Sequence, residues 1–304
     1  MYRQKLTTPE KAVELVKSGD WVDYGMATSQ PILLDKALAG RKEELKDVKV
    51  RMSFSFAPRQ VVECDPNRET FTAMNWHMSG YDRKLCAKGL MNFIPMCYRN
   101  EPSMYRNILD VDVAMITVAP MDKHGFFNFG LNISANEEIT KKAKKVIVEV
   151  NEAMPRALGG RGEQIHISDV AAVVEAGSLP MPTIPFKTGD AVDTTIAEMI
   201  VKTIPDGATL QLGVGGLPNT VGAMIAESDL KDLGMHTEML VDAFYLMYKE
   251  GRLTNKVKAL DRDKAVWAFA LGSQDMYDWI DDNPYLAAYP IDYVNDPCVI
   301  AQLD

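Results

Sequence analysis

Cysteine is scarce in this 304-residue chain and carries no metal-type spacing. Cys64, Cys86, Cys97 and Cys298 form no C-x-x-C pair, and they fall into no zinc-ligand pattern with the four histidines. The composition therefore predicts no metal site, reduced thiols and a cytoplasmic protein. Long apolar runs are also missing. None reaches the ~18 residues that a membrane span needs. Met1-Tyr2-Arg3-Gln4-Lys5 leads into no apolar stretch, so no secretory signal is expected. An excess of positive charge is absent as well: 33 basic residues face 42 acidic ones, for a net charge of −9. Nucleic acids and membrane surfaces call for a basic footprint, so neither is expected as a partner. An anionic small molecule stays admissible, because a few local N–H donors and cations can hold phosphates. The motifs G-x-S-x-G and G-x-x-x-x-G-K-[ST] do not occur, which leaves no support for an α/β-hydrolase or a P-loop enzyme.

What is present is an ordinary hydrophobic content of 47% in a chain long enough for two cores. Short, β-branched apolar runs predict buried strands over 48–55, 111–118, 145–150, 170–175 and 265–271. Helical patterns lie between them at 9–17, 133–142, 194–203, 218–228 and 274–281. This alternation predicts an α/β fold with mostly parallel, open sheets. Gly177, Pro180, Pro182, Pro185 and Gly189 interrupt regular structure in 176–192. The expected domains are accordingly 1–185 and 186–304.

The two halves carry a weak repeat. Aligning Gly19 with Gly207 also aligns Gly25 with Gly213, and both stretches read helix, turn, strand, glycine turn, helix. Internal duplication of an α/β unit is the economical explanation.

The second copy holds the chemistry-bearing residues. Gly213-Val214-Gly215-Gly216-Leu217-Pro218-Asn219 follows a strand pattern and opens a helical one, the setting of a phosphate- or oxyanion-binding turn. Pro218 takes the place of the third glycine in the dinucleotide fingerprint, so that match is incomplete. Glu238 lies 25 residues after Gly213 in an otherwise apolar strand pattern. Three readings are open at this point. Glu238 is an edge-strand carboxylate of no special role; or an acid downstream of the loop binds a ribose, a part that suits Asp242 better; or Glu238 is a nucleophile toward a thioester carbonyl. The last reading explains the loop, since each step passes through a tetrahedral oxyanion and an aimed N–H donor is worth roughly 3–4 kcal/mol.

Other segments read more plainly. Asp122 and His124 could pair catalytically, but a rigid turn is the better reading of Pro120-Met121-Asp122-Lys123-His124-Gly125. Asn75-Trp76-His77-Met78-Ser79-Gly80 could line a small-acid pocket or simply end a strand. Lys141-Lys142-Ala143-Lys144-Lys145 reads as a solvated helix C-terminus.

At these residues the chain resembles the acetyl-CoA hydrolase/transferase family, and within it the butyryl-CoA:acetate and 4-hydroxybutyrate CoA-transferases. The matching segments include Ser18-Gly19-Asp20-Trp21-Val22-Asp23-Tyr24-Gly25, Trp76-His77-Met78-Ser79-Gly80, Pro120-Met121-Asp122-Lys123-His124-Gly125 and Ile165-His166-Ile167-Ser168. They continue through the glycine loop to His236-Thr237-Glu238-Met239. The wording around Trp76 and around Asp242-Ala243-Phe244 is nearest the butyryl-CoA branch.

The resemblance implies two similar open α/β domains with the active site between them, and a homo-oligomer. It implies Glu238 as the residue that forms a glutamyl-CoA thioester, and Gly213, Val214, Gly215, Gly216 and Leu217 as the CoA-binding loop. Acyl-CoA and acetate, or another short carboxylate, are then substrates, and no cofactor is called for. The family pattern also continues beyond Asp304. The second domain is therefore expected to be truncated, with the rest supplied by a longer chain or a second polypeptide. The activity implied is CoA transfer between butyryl-CoA and acetate; alternatives are an acyl-CoA hydrolase of the same family and a dinucleotide-dependent oxidoreductase.

Overall fold

The computed structural model describes residues 1–303, which divide into two compact units. The first comprises Met1–Met154 and Gln164–Met181; the second comprises Pro155–Glu163 and Pro182–Asp304.

The first unit is built on a seven-stranded sheet. Its strands are β1 (Trp21–Met26), β2 (Val48–Ser53), β3 (Phe71–Asn75), β4 (Met91–Phe93), β5 (Val113–Val118), β7 (Lys145–Asn151) and β9 (Ala172–Gly177), in the order β4-β3-β2-β1-β5-β7-β9. Every pairing in it is parallel. A strand covered on both faces gains from apolar side chains at every position, and all six residues of β5 are buried. A small antiparallel ribbon joins β6 (Phe126–Asn128) to β8 (Gln164–His166). Helices α1 (Leu33–Ala39), α2 (Gly80–Ala87) and α3 (Asn136–Lys142) belong to this unit.

Two helices are shorter than their patterns predict. Thr8 caps a helix at Pro9–Ala12, which tightens into a 3-10 turn over Val13–Leu15 instead of running to residue 17. The pattern at 133–142 becomes helical only from Asn136. Ser134 has a left-handed φ of 33°, and the Asn132 and Asn136 amides both donate to the buried Ser29 hydroxyl.

Inside this sheet lies a buried ion pair. Asp23 and Arg51 are register partners on β1 and β2, exposed by 0% and 2%. Arg51 Nε donates to Asp23 Oδ2 at 3.0 Å, and the Tyr105 hydroxyl donates to the same oxygen at 2.6 Å. The guanidinium also reaches the Asp110 carbonyl and lies over the Trp21 ring, 4.8 Å from its centroid.

The second unit carries a four-stranded parallel sheet: β10 (Thr209–Leu210), β11 (Gly234–Leu240), β12 (Ala265–Ala270) and β13 (Leu286–Ala288), in that order. Its helices include α4 (Ala191–Val201), α5 (Gly216–Glu227), α6 (Asp242–Lys249), α7 (Gln274–Ile280) and α8 (Ile291–Val294). Residues 155–163 join this unit because they pair with its edge. Gly159 bridges to Ala288, and the Ala288 N–H donates to the Leu158 carbonyl.

The repeat is structural. Gly19 and Gly207 both take left-handed φ values, 87° and 81°, and their N–H groups donate to the carbonyls of Lys46 and Lys231. Asp47 and Asp232, one residue past those carbonyls, are left-handed too, at 57° and 55°. Trp21 faces Lys49 across β1 and β2 as Thr209 faces Gly234 across β10 and β11. The order β1-β2-β3-β4 recurs as β10-β11-β12-β13, and a serine caps the helix after the third strand in each copy: Ser79 for α2 and Ser273 for α7. The aligned glycines Gly25 and Gly213 differ. Gly25 is left-handed and tightly packed, whereas a side chain at Gly213 would meet nothing. The sheets also differ beyond the repeat. In the first unit β5, β7 and β9 extend the sheet from β1; among the described residues no strand lies outside β10, and the loop after it is exposed.

Candidate active site

His236, Glu238, the glycine loop, Asp242 and Asn295 all lie within the second unit. Side chains alternate along β11, so His236 and Glu238 share one face while Thr237 points to the other. His236 and Thr237 are buried and Glu238 is half-buried. Two bonds tie this stretch to the end of β10. The Glu238 N–H donates to the Gln211 side-chain oxygen at 3.0 Å, and the one proton of the Thr237 hydroxyl is shared between the Met239 carbonyl at 3.0 Å and the Leu212 carbonyl at 3.3 Å. Glu238 and the start of the glycine loop therefore meet at the carboxyl ends of adjacent parallel strands. Open α/β sheets bind ligands at this end.

The Glu238 carboxylate has one engaged oxygen. The Asn295 amide donates to Oε2 at 2.6 Å, while Oε1 has no hydrogen-bond partner among the described residues. Asn295 follows α8, a single helical turn, and its own N–H bonds the Ile291 carbonyl. A carboxylate fixed through one oxygen and open at the other can present that second oxygen to an electrophile.

The loop is shaped by its glycines. Gly215 has a φ of 126°, a conformation that strongly favours glycine. Gly216 begins α5, and a Cβ there would lie 2.8 Å from the Gly189 Cα. Among the described residues no side chain caps α5 at its N-terminus, and first-turn N–H groups have no intrahelical acceptor. The positive end of the helix dipole and those free donors face the space after β10, which suits a phosphate or an oxyanion. Pro218 sits in the first turn, where its missing N–H costs nothing. The loop is anchored by the Asn219 amide on the Lys187 carbonyl and by the Gly189 N–H on the Thr220 hydroxyl.

Asp242 is occupied elsewhere. It accepts from the Ser273 hydroxyl and, at 2.9 Å, from the Ser273 N–H, which leaves it joining α6 to α7 rather than open to a ribose. Burial pushes its carboxyl above the usual range, with the two Ser273 bonds opposing. In the first unit, Asp122 accepts the N–H groups of His124 and Phe126 at 2.8 and 3.0 Å and forms a tight turn, and His124 is exposed. Ser79, in the Asn75–Gly80 stretch, makes a capping box with Asp82. Lys141 and Lys142 lie in the last turn of α3. All four cysteines are free, and no cluster of metal-ligating side chains occurs among the described residues. Nor is any described helix long and apolar enough to cross a membrane.

Two family models match this chain: the acetyl-CoA hydrolase/transferase N-terminal domain over residues 1–185, and the C-terminal domain over 272–304. The chain belongs to the acetyl-CoA hydrolase/transferase family. Within that family it is 47% identical to the butyryl-CoA:acetate CoA-transferase of Anaerostipes caccae, over 100% of this chain and 68% of the relative. It is 46% identical to a probable butyrate:acetyl-CoA coenzyme A-transferase of Syntrophomonas wolfei, with the same coverage. The crystal structure of RipA from Yersinia pestis superposes with a TM-score of 0.92 at 35% identity, over 100% of this chain and 72% of that one.

For this family member, the placement of the loop rests on how closely α5 packs against α6. A Cβ at Gly222 would lie 2.3 Å from the Ala243 Cβ. Gly222→Val is expected to cost about 1–3 kcal/mol by overpacking, read as a lower urea midpoint.

Asn295 was not singled out by any local pattern. It lies in Asn295-Asp296-Pro297, an ordinary turn signal, and only the packing of α8 beside β11 brings it to Glu238.

Proposed function

We propose that this protein is a CoA-transferase that exchanges CoA between a short-chain acyl-CoA, butyryl-CoA, and acetate. The exchange runs by a ping-pong route through a glutamyl-CoA thioester on Glu238. The observation that carries this reading is the half-buried Glu238 carboxylate, held by Asn295 on one oxygen and open on the other, beside the glycine loop. The names of the 47% and 46% identical relatives support the substrate pair.

The route balances without a metal or a redox partner. Glu238 Oε1 attacks the butyryl thioester carbonyl and CoA leaves as thiolate, giving a butyryl-glutamyl anhydride. The thiolate then attacks the glutamyl carbonyl and expels butyrate, leaving glutamyl-CoA. Acetate attacks that thioester, releases CoA thiolate and forms the acetyl-glutamyl anhydride. Finally the thiolate takes the acetyl group and restores the Glu238 carboxylate. When the glutamyl carbonyl is attacked, Oε2 becomes the oxyanion, and the Asn295 amide is already placed on it. The unpaired N–H groups at the start of α5 serve the CoA phosphates or the oxyanion of the substrate carbonyl.

Intact mass spectrometry with butyryl-CoA tests this. A gain of one CoA less water, removed by hydroxylamine and mapped to Glu238, is the expected result. A folded protein with no adduct would count against a covalent transferase. CoA release at a rate independent of acetate would identify a hydrolase instead.

A further inference from the structure

His236 lies two residues before Glu238 on the same face of β11 and is only 4% exposed. Its Nε2 is 2.8 Å from the carbonyl oxygen of Val294, the residue immediately before Asn295. A carbonyl can only accept, so Nε2 carries the proton and the imidazole donates. Nδ1 is buried without a hydrogen-bond partner among the described residues, and burial holds the ring below its ordinary pKa, although the Val294 bond opposes the shift.

The bond has a structural reason. Helix α8 is one turn of four residues, too short to hold itself, and the Val294 carbonyl is one of its orphaned last acceptors. His236 satisfies that acceptor. The fully buried Ile291 and Val294 side chains seat the turn, and the Tyr293 ring lies 6.0 Å from the imidazole. The next residue then reaches Glu238 Oε2 at 2.6 Å.

We propose that His236 is a positioning residue, which fixes the Val294 carbonyl and through it aims the Asn295 amide at Glu238. This rests on Glu238 being the acyl-accepting carboxylate. A buried histidine that merely fills the core would have no preference for Asn295, and that difference is measurable.

The test is a double-mutant cycle on the intact chain: His236→Leu, Asn295→Ala, both together, and His236→Gln. The readouts are the rate of CoA adduct formation from butyryl-CoA, kcat and KM for transfer, and Tm. Asn295→Ala is expected to slow adduct formation by about 10²-fold, as for loss of one oxyanion donor. His236→Leu should slow it about 10-fold with KM little changed, a partial loss through misplacement. The double variant should be no slower than Asn295→Ala alone, because the two act in series. Gln places an N–H donor near the position of Nε2, and His236→Gln should recover most of the rate. Multiplying losses in the double variant would overturn the positioning role. So would a failure of His236→Gln to restore the rate although its Tm matches the wild type. A wild-type chain that forms no adduct would overturn the Glu238 reading itself, and this inference with it; an adduct with multiplying losses removes His236 alone.

Discussion

Glu238→Gln is expected to abolish CoA transfer, with a loss of about 10⁴-fold or more in kcat, while Tm stays close to that of the wild type. The substitution keeps the shape and an oxygen for the Asn295 amide but removes the negative charge that attacks the thioester. Glu238 is half-buried and makes one side-chain hydrogen bond, so it carries little of the fold. Glu238→Asp should show how tightly the site is built. It keeps the charge and draws it back by one methylene, and a misplacement of about 1 Å is expected to cost on the order of 10²-fold. The measurements are acetate-dependent acetyl-CoA formation and the hydroxylamine-sensitive mass adduct. Near-wild-type transfer by Glu238→Gln would remove Glu238 from the chemistry altogether.

The second large effect belongs to the first unit. Arg51→Ala is expected to destabilise that unit by about 3–5 kcal/mol, since it strands the Asp23 carboxylate in the core without its cation. Asp23 would keep the Tyr105 hydroxyl and the Gly25 N–H, which are donors but not counter-charges. Replacing both partners by apolar residues, Asp23→Leu with Arg51→Met, should recover most of the loss, because no unpaired charge is then left behind. Urea unfolding read by circular dichroism separates these outcomes. An Arg51→Ala midpoint equal to the wild type would show that the pair is not what holds β1 to β2.

Much of this architecture was legible in the residues themselves. Short apolar runs marked β2, β5, β7, β9 and β12, most plainly in β5, where a strand buried on both faces has no polar side to alternate with. Gly19 and Gly207 announced the repeat, since both sit where the backbone must turn left-handed. Glu238 and its loop stood out as a charge and a set of glycines in an apolar setting. Asn295 and His236 did not. Their significance depends on contacts spanning 57 and 58 residues, and neither residue type is unusual where it stands. The Asp23–Arg51 pair was hidden for a similar reason: it exists only once β1 and β2 are in register. Asp242 looked open to a ligand in the sequence because its partner Ser273 lies 31 residues away.

The register of the two sheets pairs them residue by residue. Extending the match of Trp21 beside Lys49 with Thr209 beside Gly234, Ser53 stands in β2 where Glu238 stands in β11, and Arg51 stands where His236 stands. Asp23 likewise answers to Gln211. One copy fills these addresses with a sealed ion pair; the other places there the buried His236, bonded to the Val294 carbonyl, and the half-buried Glu238. On the proposed function, matched positions in a single chain would come under selection through different phenotypes. Changes at 23 and 51 alter how much folded protein a cell retains. On the proposed function, changes at 236 and 238 would alter what each folded molecule accomplishes. Two copies of one strand pattern would then be answerable to different pressures, one to abundance and the other to turnover.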